Sequence, residues 1–258
     1  MINNKCCKES LNPFLIFKWY GYKMKFTKEH PDYFNPDGLV VFTGPQGSGK
    51  TLSAVNYCEN IMKMYPKCLL ITNLYLKNYP FDNKRVFEFK NADDLSRYSN
   101  DEYGVLFLID EIQLYFNSLE SKNINPDVMV QISQQRKQRK HIVSTSQVFG
   151  RMAKPLREQF SSVIVCKNCF GFIQFNKLVD RDSVSESDST TGTELKGQVK
   201  KRFIWFHNPK FYGNYDTYYV IKRNNFVAEE EKKIGIYGTE EQLSVNFNQK
   251  KGLFKGGR

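Results

Sequence analysis

The chain has 258 residues, 40% of them hydrophobic, and a formal net charge of +11 at pH 7. This length fits one α/β domain of about 200 residues with a small appendage better than two full domains, and no run reaches the ~20 apolar residues of a membrane span. The charge favours a polyanionic partner, either nucleic acid or an anionic membrane surface, although a generally Lys-rich proteome would give the same excess.

Residues 1–36 are predicted to form an N-terminal extension. Aromatic residues and lysines are mixed over residues 14–26, a composition that suits a lipid surface or DNA but more often packs as an edge on the core. The extension begins with a polar segment and has no cleavage site after an apolar stretch. We therefore expect no secretory signal and reduced cysteines inside a cell.

Strands and helices alternate from residue 37 to 180, the predicted core. Continuous apolar runs predict strands that are buried on both faces. Strands joined by helical crossovers predict an α/β fold with a mostly parallel, doubly wound sheet. The predicted strands are 38–43, 68–72, 86–89, 105–109 and 141–146, and the predicted helices are 52–64, a short one ending near 97, one ending near 119, and 127–138.

The pattern changes after Arg157. Residues 163–166 and 170–178 are predicted to be paired strands. Residues 181–200, rich in Ser, Thr and charge, are predicted to be a flexible loop. Residues 201–247 are predicted to be an aromatic, β-rich C-terminal appendage that completes the core, and 248–258 a basic disordered tail.

A motif of the form G-x-x-x-x-G-K-[ST] separates the first predicted strand from the first helix. Its glycines let the backbone form a nest of N–H donors at the positive end of the helix, which suits the phosphates of ATP. Lys50 can reach the β- and γ-phosphates, and the Thr51 hydroxyl can ligate Mg²⁺. The motif predicts a RecA-like P-loop NTPase. The predicted nucleotide-binding residues are Gly44, Pro45, Gln46, Gly47, Ser48, Gly49, Lys50, Thr51 and Leu52.

Two carboxylates, Asp110 and Glu111, follow the buried run 105–109. Hydrolysis of a nucleotide needs a metal ligand and an acceptor for the attacking water, so Asp110 is predicted to bind the metal and Glu111 to polarise the water. The alternative is that two acids merely begin a helix, where carboxylates favour the positive end. Because a P-loop stands upstream, we favour hydrolysis.

A basic segment, 134–140, leads into the strand that ends at Gln147. Ligands lie at the carboxyl ends of the strands in such sheets, so Gln147 is predicted to face the nucleotide and to respond to its γ-phosphate. The basic segment could supply an arginine to a neighbouring subunit's nucleotide or contact a phosphate backbone. It could equally be a solvated cationic face.

Cys166 and Cys169 have the spacing of half a zinc site, which Cys6 and Cys7 could complete. Adjacent cysteines are poor partners in a tetrahedral site, and residues 166–169 are expected to straddle a hairpin turn. Zinc is therefore the weaker interpretation.

The order of these motifs resembles the FtsK–HerA superfamily of DNA-pumping ATPases. Within it the chain is most similar to the zonular occludens toxin-like ATPases of filamentous phages, which serve in single-stranded DNA virion assembly and export. The more diagnostic features are the pair Thr72 and Asn73 and the arginine-bearing segment before Gln147. The similar segments are 44–55, 69–76, 108–118 and 134–158 within a resemblance over about 38–180, with a weaker echo at 215–217.

The resemblance implies a homo-hexameric motor that uses ATP and Mg²⁺ to package or export viral DNA. It implies that Arg136 acts on a neighbouring subunit's nucleotide, with Arg139 and Arg157 as rivals. Phage assembly members carry a transmembrane helix after the core, and this sequence does not. We therefore expect a soluble motor, or one docked to a separate membrane or virion protein, in the host cytoplasm, at the inner face of the membrane or in the virion.

Two alternatives belong to other classes. The first is an ATPase whose nucleotide state controls docking to a secretion or extrusion complex. The second is a small-molecule P-loop kinase, whose lid would be the loop 180–200 with Arg181 as its arginine.

Overall fold

The computed structural model describes residues 13–35, 38–78, 80–81, 84–119, 124, 126–189 and 192–212. Its strands are β1 (Leu39–Thr43), β2 (Leu69–Thr72), β3 (Val86–Glu88), β4 (Val105–Ile109), β5 (Lys140–Ser146), β6 (Phe160–Cys169), β7 (Ile173–Val179), β8 (Ser185–Ser189), β9 (Gly192–Lys196) and β10 (Val199–Phe206). Its α-helices are α1 (Pro13–Glu29), α2 (Lys50–Met64), α3 (Asp94–Arg97), α4 (Pro126–Gln134), α5 (Lys154–Arg157) and α6 (Pro209–Tyr212).

Eight strands form one sheet in the order β10-β7-β6-β1-β5-β4-β2-β3. The six strands from β6 to β3 are parallel, and β7 and β10 are antiparallel to their neighbours. Every residue of β1 and β4 is buried, as expected where helices cover both faces of a parallel sheet. The predicted α/β fold with a mostly parallel sheet is confirmed, and β10 belongs to this same sheet.

Successive residues of β1 enter opposite hydrophobic layers. Val40 and Phe42 pack with the apolar residues of α2 on one face. Leu39 and Val41 pack on the other face with residues of α4 and α5, among them Ile132. The sheet is therefore doubly wound, and the carboxyl ends of β1, β4 and β5 lie at one edge.

The prediction of a helix after β4, ending near residue 119, is wrong. Glu111 has a φ of 52°, in the left-handed region, and the 3₁₀ turn Ile112–Leu114 follows it. A left-handed residue cannot continue a right-handed helix. The helix predicted over 127–138 also ends earlier, at Gln134, and continues as turns.

The C-terminal half also differs from its prediction. Cys166 and Cys169 both lie on β6, and the turn of the β6–β7 hairpin is formed by residues 170–172. The segment predicted as a loop, 181–200, includes the antiparallel hairpin of β8 and β9. Cys6, Cys7, the echo at 215–217 and the predicted tail 248–258 lie outside the described residues.

The described residues before Phe34 belong to a separate compact unit, and α1 is the helix among them. Its aromatic and aliphatic side chains are largely exposed, including Phe14, Phe17 and Trp19. Lys23 lies over the Trp19 ring, 5.2 Å from its centre. Within the described residues, no helix combines the length and apolar content that a bilayer crossing requires.

Candidate nucleotide site

The loop between β1 and α2 contains the predicted phosphate-binding motif. Gly44, Gly47 and Gly49 have φ values of 149°, 76° and 79°, which glycine adopts without strain. Gly49 is the N-cap of α2, so the loop ends at the positive end of that helix. A Cβ atom at Gly49 would overlap the side chain of Gln174, so close packing also requires glycine there.

Two polar side chains of this loop suit an anionic ligand. Lys50 is only 7% exposed, and its Nζ donates a 3.1 Å hydrogen bond to the carbonyl of Pro45, within the loop. Ser48 Oγ is buried and has no hydrogen-bond partner among the described residues. A cation, an unsatisfied hydroxyl and the backbone N–H groups at a helix start together fit the phosphates of a nucleotide.

Asp110 brings the two predicted metal ligands together. Its Oδ1 accepts hydrogen bonds from Thr51 Oγ1 at 2.9 Å and from Thr145 Oγ1 at 2.7 Å. Thr51 lies in the first turn of α2, and Asp110 follows the last residue of β4. A hydroxyl and a carboxylate beside a P-loop are the oxygen ligands that Mg²⁺ uses in such sites.

Asn73, which follows β2, holds the backbone of Asp110 in both directions. Its Nδ2 donates to the Asp110 carbonyl, and the Asp110 N–H donates to its Oδ1, both at 2.8 Å. Nδ2 also approaches the Tyr115 hydroxyl at 3.4 Å. The neighbouring strand thus fixes the position of the carboxylate.

Burial raises the pKa of Asp110 above its usual value. Hydrogen bonds from Thr145 and Thr51 oppose this rise, the charge of Glu111 adds to it, and the charge of Lys50 opposes it. A divalent cation would favour the ionised carboxylate in this setting, because an opposite charge offsets the desolvation.

Glu111 is oriented by three neighbours. Its N–H donates to Thr145 Oγ1 at 2.9 Å. Its carboxylate accepts hydrogen bonds from Gln113 Nε2 and, at 3.2 Å, from Gln147 Nε2. The same Thr145 oxygen therefore positions both acids, and Gln147 lies beside Glu111 at the tip of β5.

The structure does not bring Arg136 to Lys50. Arg136 lines a pocket with Gly38 and Ser161. Gly38 directly precedes β1, and Ser161 is the second residue of β6. This edge of the sheet is opposite the P-loop, and the two edges are separated by the five residues of β1, roughly 16 Å. The rivals Arg139 and Arg157 also precede strands, β5 and β6, so they belong to the same far edge.

Sequence reasoning missed Thr145 and Gln174. Gln174 is fully buried and donates from Nε2 to the carbonyl of Ser48 in the P-loop at 2.9 Å. The sequence of β7 did contain a signal for Gln174. Two amides on the buried face of this strand, Gln174 and Asn176, alternate with the apolar residues Ile173 and Phe175 on its other face. The signal for Thr145 was weaker, because hydroxyl residues also fill ordinary strands.

The described residues include no group of three or more His, Cys, Asp and Glu side chains that could hold a metal ion. Cys166 is buried, which raises the pKa of its thiol to about 12. Cys166 packs in the hydrophobic cluster on the α2 side of the sheet.

The fold and the site together define a P-loop ATPase. The family model described as zonular occludens toxin (Zot) matches residues 38–204, well over half of the chain. This chain therefore belongs to the Zot family. No curated protein matches the chain.

Solved structures of similar fold share little sequence. The N-terminal domain of zonular occludens toxin from Neisseria meningitidis is 15% identical, with a TM-score of 0.45, over 69% of this chain and 98% of that one. The genome packaging NTPase B204 from Sulfolobus turreted icosahedral virus 2, in complex with ATP-gammaS, is 13% identical, with a TM-score of 0.44, over 64% and 99%. The DNA-packaging ATPase B204 from Sulfolobus turreted icosahedral virus is 14% identical, with a TM-score of 0.45, over 64% and 98%.

Proposed function

We propose that this protein is an ATP-hydrolysing motor that packages or exports viral DNA during virion assembly. The observation that carries the proposal is the contact of Thr51 with Asp110, with Glu111 held beside them by Thr145. A protein that only binds nucleotide needs no oriented carboxylate at this position. Membership of the Zot family and the net charge of +11 support DNA as the cargo.

Each residue of the site has a role in this proposal. Lys50 and the loop N–H groups bind the phosphates, and Thr51 and Asp110 would hold Mg²⁺. The bound Mg²⁺ would neutralise charge on the phosphates. Glu111 accepts a proton from the attacking water, and Gln147 keeps its carboxylate in place.

A ring would explain the position of Arg136. Arg136 is separated from the P-loop of its own chain by the length of one strand. In a homo-hexamer it could instead reach the nucleotide of a neighbouring subunit. An arginine supplied in this way stabilises the charge that develops on the transferred phosphoryl group. Basic and apolar residues for DNA occur on β10, where Lys200, Lys201 and Arg202 precede the exposed Ile204.

The test is the rate of phosphate release from ATP with single-stranded DNA, with double-stranded DNA and without DNA. We expect stimulation by at least one form of DNA, together with ring formation in analytical ultracentrifugation. Lys50→Ala is the matched control, because it removes phosphate binding without altering the basic surfaces. Hydrolysis at the same rate with and without both DNAs would reject the motor.

A second candidate is an ATPase that docks to a secretion or extrusion complex according to its nucleotide state. The observation that favours it is the exposed aromatic tip of the β6–β7 hairpin, where Phe170 and Phe172 are 86% and 52% exposed. Such rings suit a protein surface as well as DNA bases. Affinity for DNA that falls steeply with salt would count against docking, because phosphate contacts release counterions.

Little favours a kinase. Arg181, the arginine of its proposed lid, donates to Asp182 Oδ1 at 2.8 Å and to the Glu158 carbonyl at 2.6 Å. Glu158 precedes β6, at the edge opposite the P-loop. In this arrangement the arginine is unavailable to a nucleotide.

A further inference from the structure

We propose that His207 is a positioning residue of the nucleotide site, which acts through Gln174 on the peptide bond between Ser48 and Gly49. This inference rests on the proposed ATPase function and concerns residues outside the P-loop and the acidic pair. It identifies how the segment after β10 reaches the phosphate-binding loop.

The orientation of the Gln174 amide is fixed by its acceptors. Its Nε2 donates to the Ser48 carbonyl and to Asn176 Oδ1, both at 2.9 Å. The oxygen, Oε1, must therefore point the other way, where His207 Nε2 lies at 3.3 Å. Because an amide oxygen only accepts, His207 Nε2 carries the hydrogen of this bond.

The Ser48 carbonyl controls one N–H group of the loop. In a planar trans peptide, the Gly49 N–H points opposite to the Ser48 carbonyl. When Gln174 holds that carbonyl, it also fixes the direction of the Gly49 N–H, on the side away from Gln174. The absence of a Cβ atom at Gly49 lets the Gln174 side chain approach this peptide.

His207 is itself held from two sides. The residue is 9% exposed, and its Nδ1 lies 2.5 Å from the hydroxyl of Tyr212, which is in α6. Its backbone N–H donates to the Phe172 carbonyl at 2.8 Å. The Tyr212 hydroxyl also contacts the Gly171 carbonyl, at 3.1 Å. A continuous series of polar contacts thus leads from α6 and the hairpin turn to the P-loop.

Two amide substitutions separate the roles of the ring nitrogens. The amide nitrogen of His207→Gln falls near the position of Nε2, so it can still donate to Gln174. The amide nitrogen of His207→Asn falls near Nδ1, so it can reach Tyr212 but not Gln174. We expect H207N to raise the KM for ATP about three- to tenfold, the effect of one lost hydrogen bond, with little change in kcat. H207Q should recover most of the affinity.

The experiment measures binding of a fluorescent ATP analogue and steady-state hydrolysis, with thermal melting to verify folding. Gln174→Met provides a second route if a His207 variant fails to fold, and it should raise KM by the same factor. In the double variant, H207N should add nothing to Q174M. An unchanged KM in Q174M, or equal damage in H207Q and H207N, would overturn the inference. If the wild-type protein binds the analogue no better than Lys50→Ala, the ATPase proposal fails instead.

Discussion

Thr51 and Asp110 are 59 residues apart in the chain, and the hydroxyl of one donates a 2.9 Å hydrogen bond to the carboxylate of the other. The bond joins the start of α2 to the end of β4, so the P-loop and the acidic pair form one site. The two oxygens lie close enough to share one cation.

Thr51→Val replaces this hydroxyl with a methyl group of the same size. We expect hydrolysis to require roughly 10- to 100-fold more Mg²⁺, as for the loss of groups that support a metal site. Titration of the ATPase rate with Mg²⁺ measures the effect. Thr51→Ser keeps the oxygen and is the control; if T51V and T51S need the same Mg²⁺ concentration, Thr51 is not a ligand.

Glu111→Gln should separate binding from hydrolysis. The amide keeps the size of the side chain but cannot accept the proton of water, so we expect kcat to fall by roughly 10² to 10⁴. Binding of a fluorescent ATP analogue should stay close to the wild-type value. Release of phosphate at the wild-type rate would assign the proton acceptor elsewhere.

Thr145→Val should disturb the positions of both acidic residues, Asp110 and Glu111. The substitution removes one of the two donors to Asp110 Oδ1, the other being Thr51, and it removes the acceptor for the Glu111 N–H. We expect a loss of about 1–3 kcal/mol in the free energy of unfolding, measured with urea, and a lower kcat. Thr145→Ser retains the oxygen; a stability equal to that of T145V would show that the methyl group matters instead.

The residues that sequence could predict are those fixed by local spacing. Lys50 and Thr51 follow a glycine-rich turn at the start of a helix, and Asp110 follows an apolar strand. A few neighbouring residues in the sequence therefore suffice to predict where these side chains lie. Thr145 depends on the register of β4 against β5, in which Ile109 pairs with Ser144. A shift of one residue would turn its side chain to the other face, and no pattern in the chain sets that register.

The buried face of β7 carries polar residues, whereas the buried face of a strand is usually apolar. Gln174 and Asn176 are buried, while Ile173 and Phe175 are only half-buried and Lys177 is exposed. The P-loop backbone and Ser53 provide the polar partners that make this burial possible. A strand was correctly predicted here, and the polar residues on its buried face are explained by the polar loop that they contact.

Burial lowers the pKa of His207 below its ordinary value of 6.5. The unfolded chain therefore takes up the proton first as the pH falls, and stability is lost between about pH 6.5 and the lower pKa of the folded state. Tyr212, whose hydroxyl contacts the ring, is neutral in this range. Urea denaturation should show wild type losing stability relative to His207→Gln as pH falls through this window. His30 and His141 are present in both proteins and cancel in the difference.

Arg136 can be tested by mixing two inactive variants. If it acts across a subunit interface, Arg136→Ala should lower the hydrolysis rate on the order of 10³-fold while each subunit still binds ATP. Lys50→Ala should be inactive because its own P-loop is damaged, but its Arg136 is intact. A mixture should recover activity, because an intact P-loop then meets an intact arginine at some interfaces.

Arg139→Ala and Arg157→Ala, each mixed with Lys50→Ala, identify which arginine acts. Only the variant that lacks the acting arginine should be inactive alone and rescued by the mixture. Arg136, Arg139 and Arg157 lie at the same edge of the sheet, so the three variants test equivalent positions. Hydrolysis by Arg136→Ala alone at the wild-type rate, with rescue seen only for Arg139→Ala or Arg157→Ala, would transfer the role to that residue.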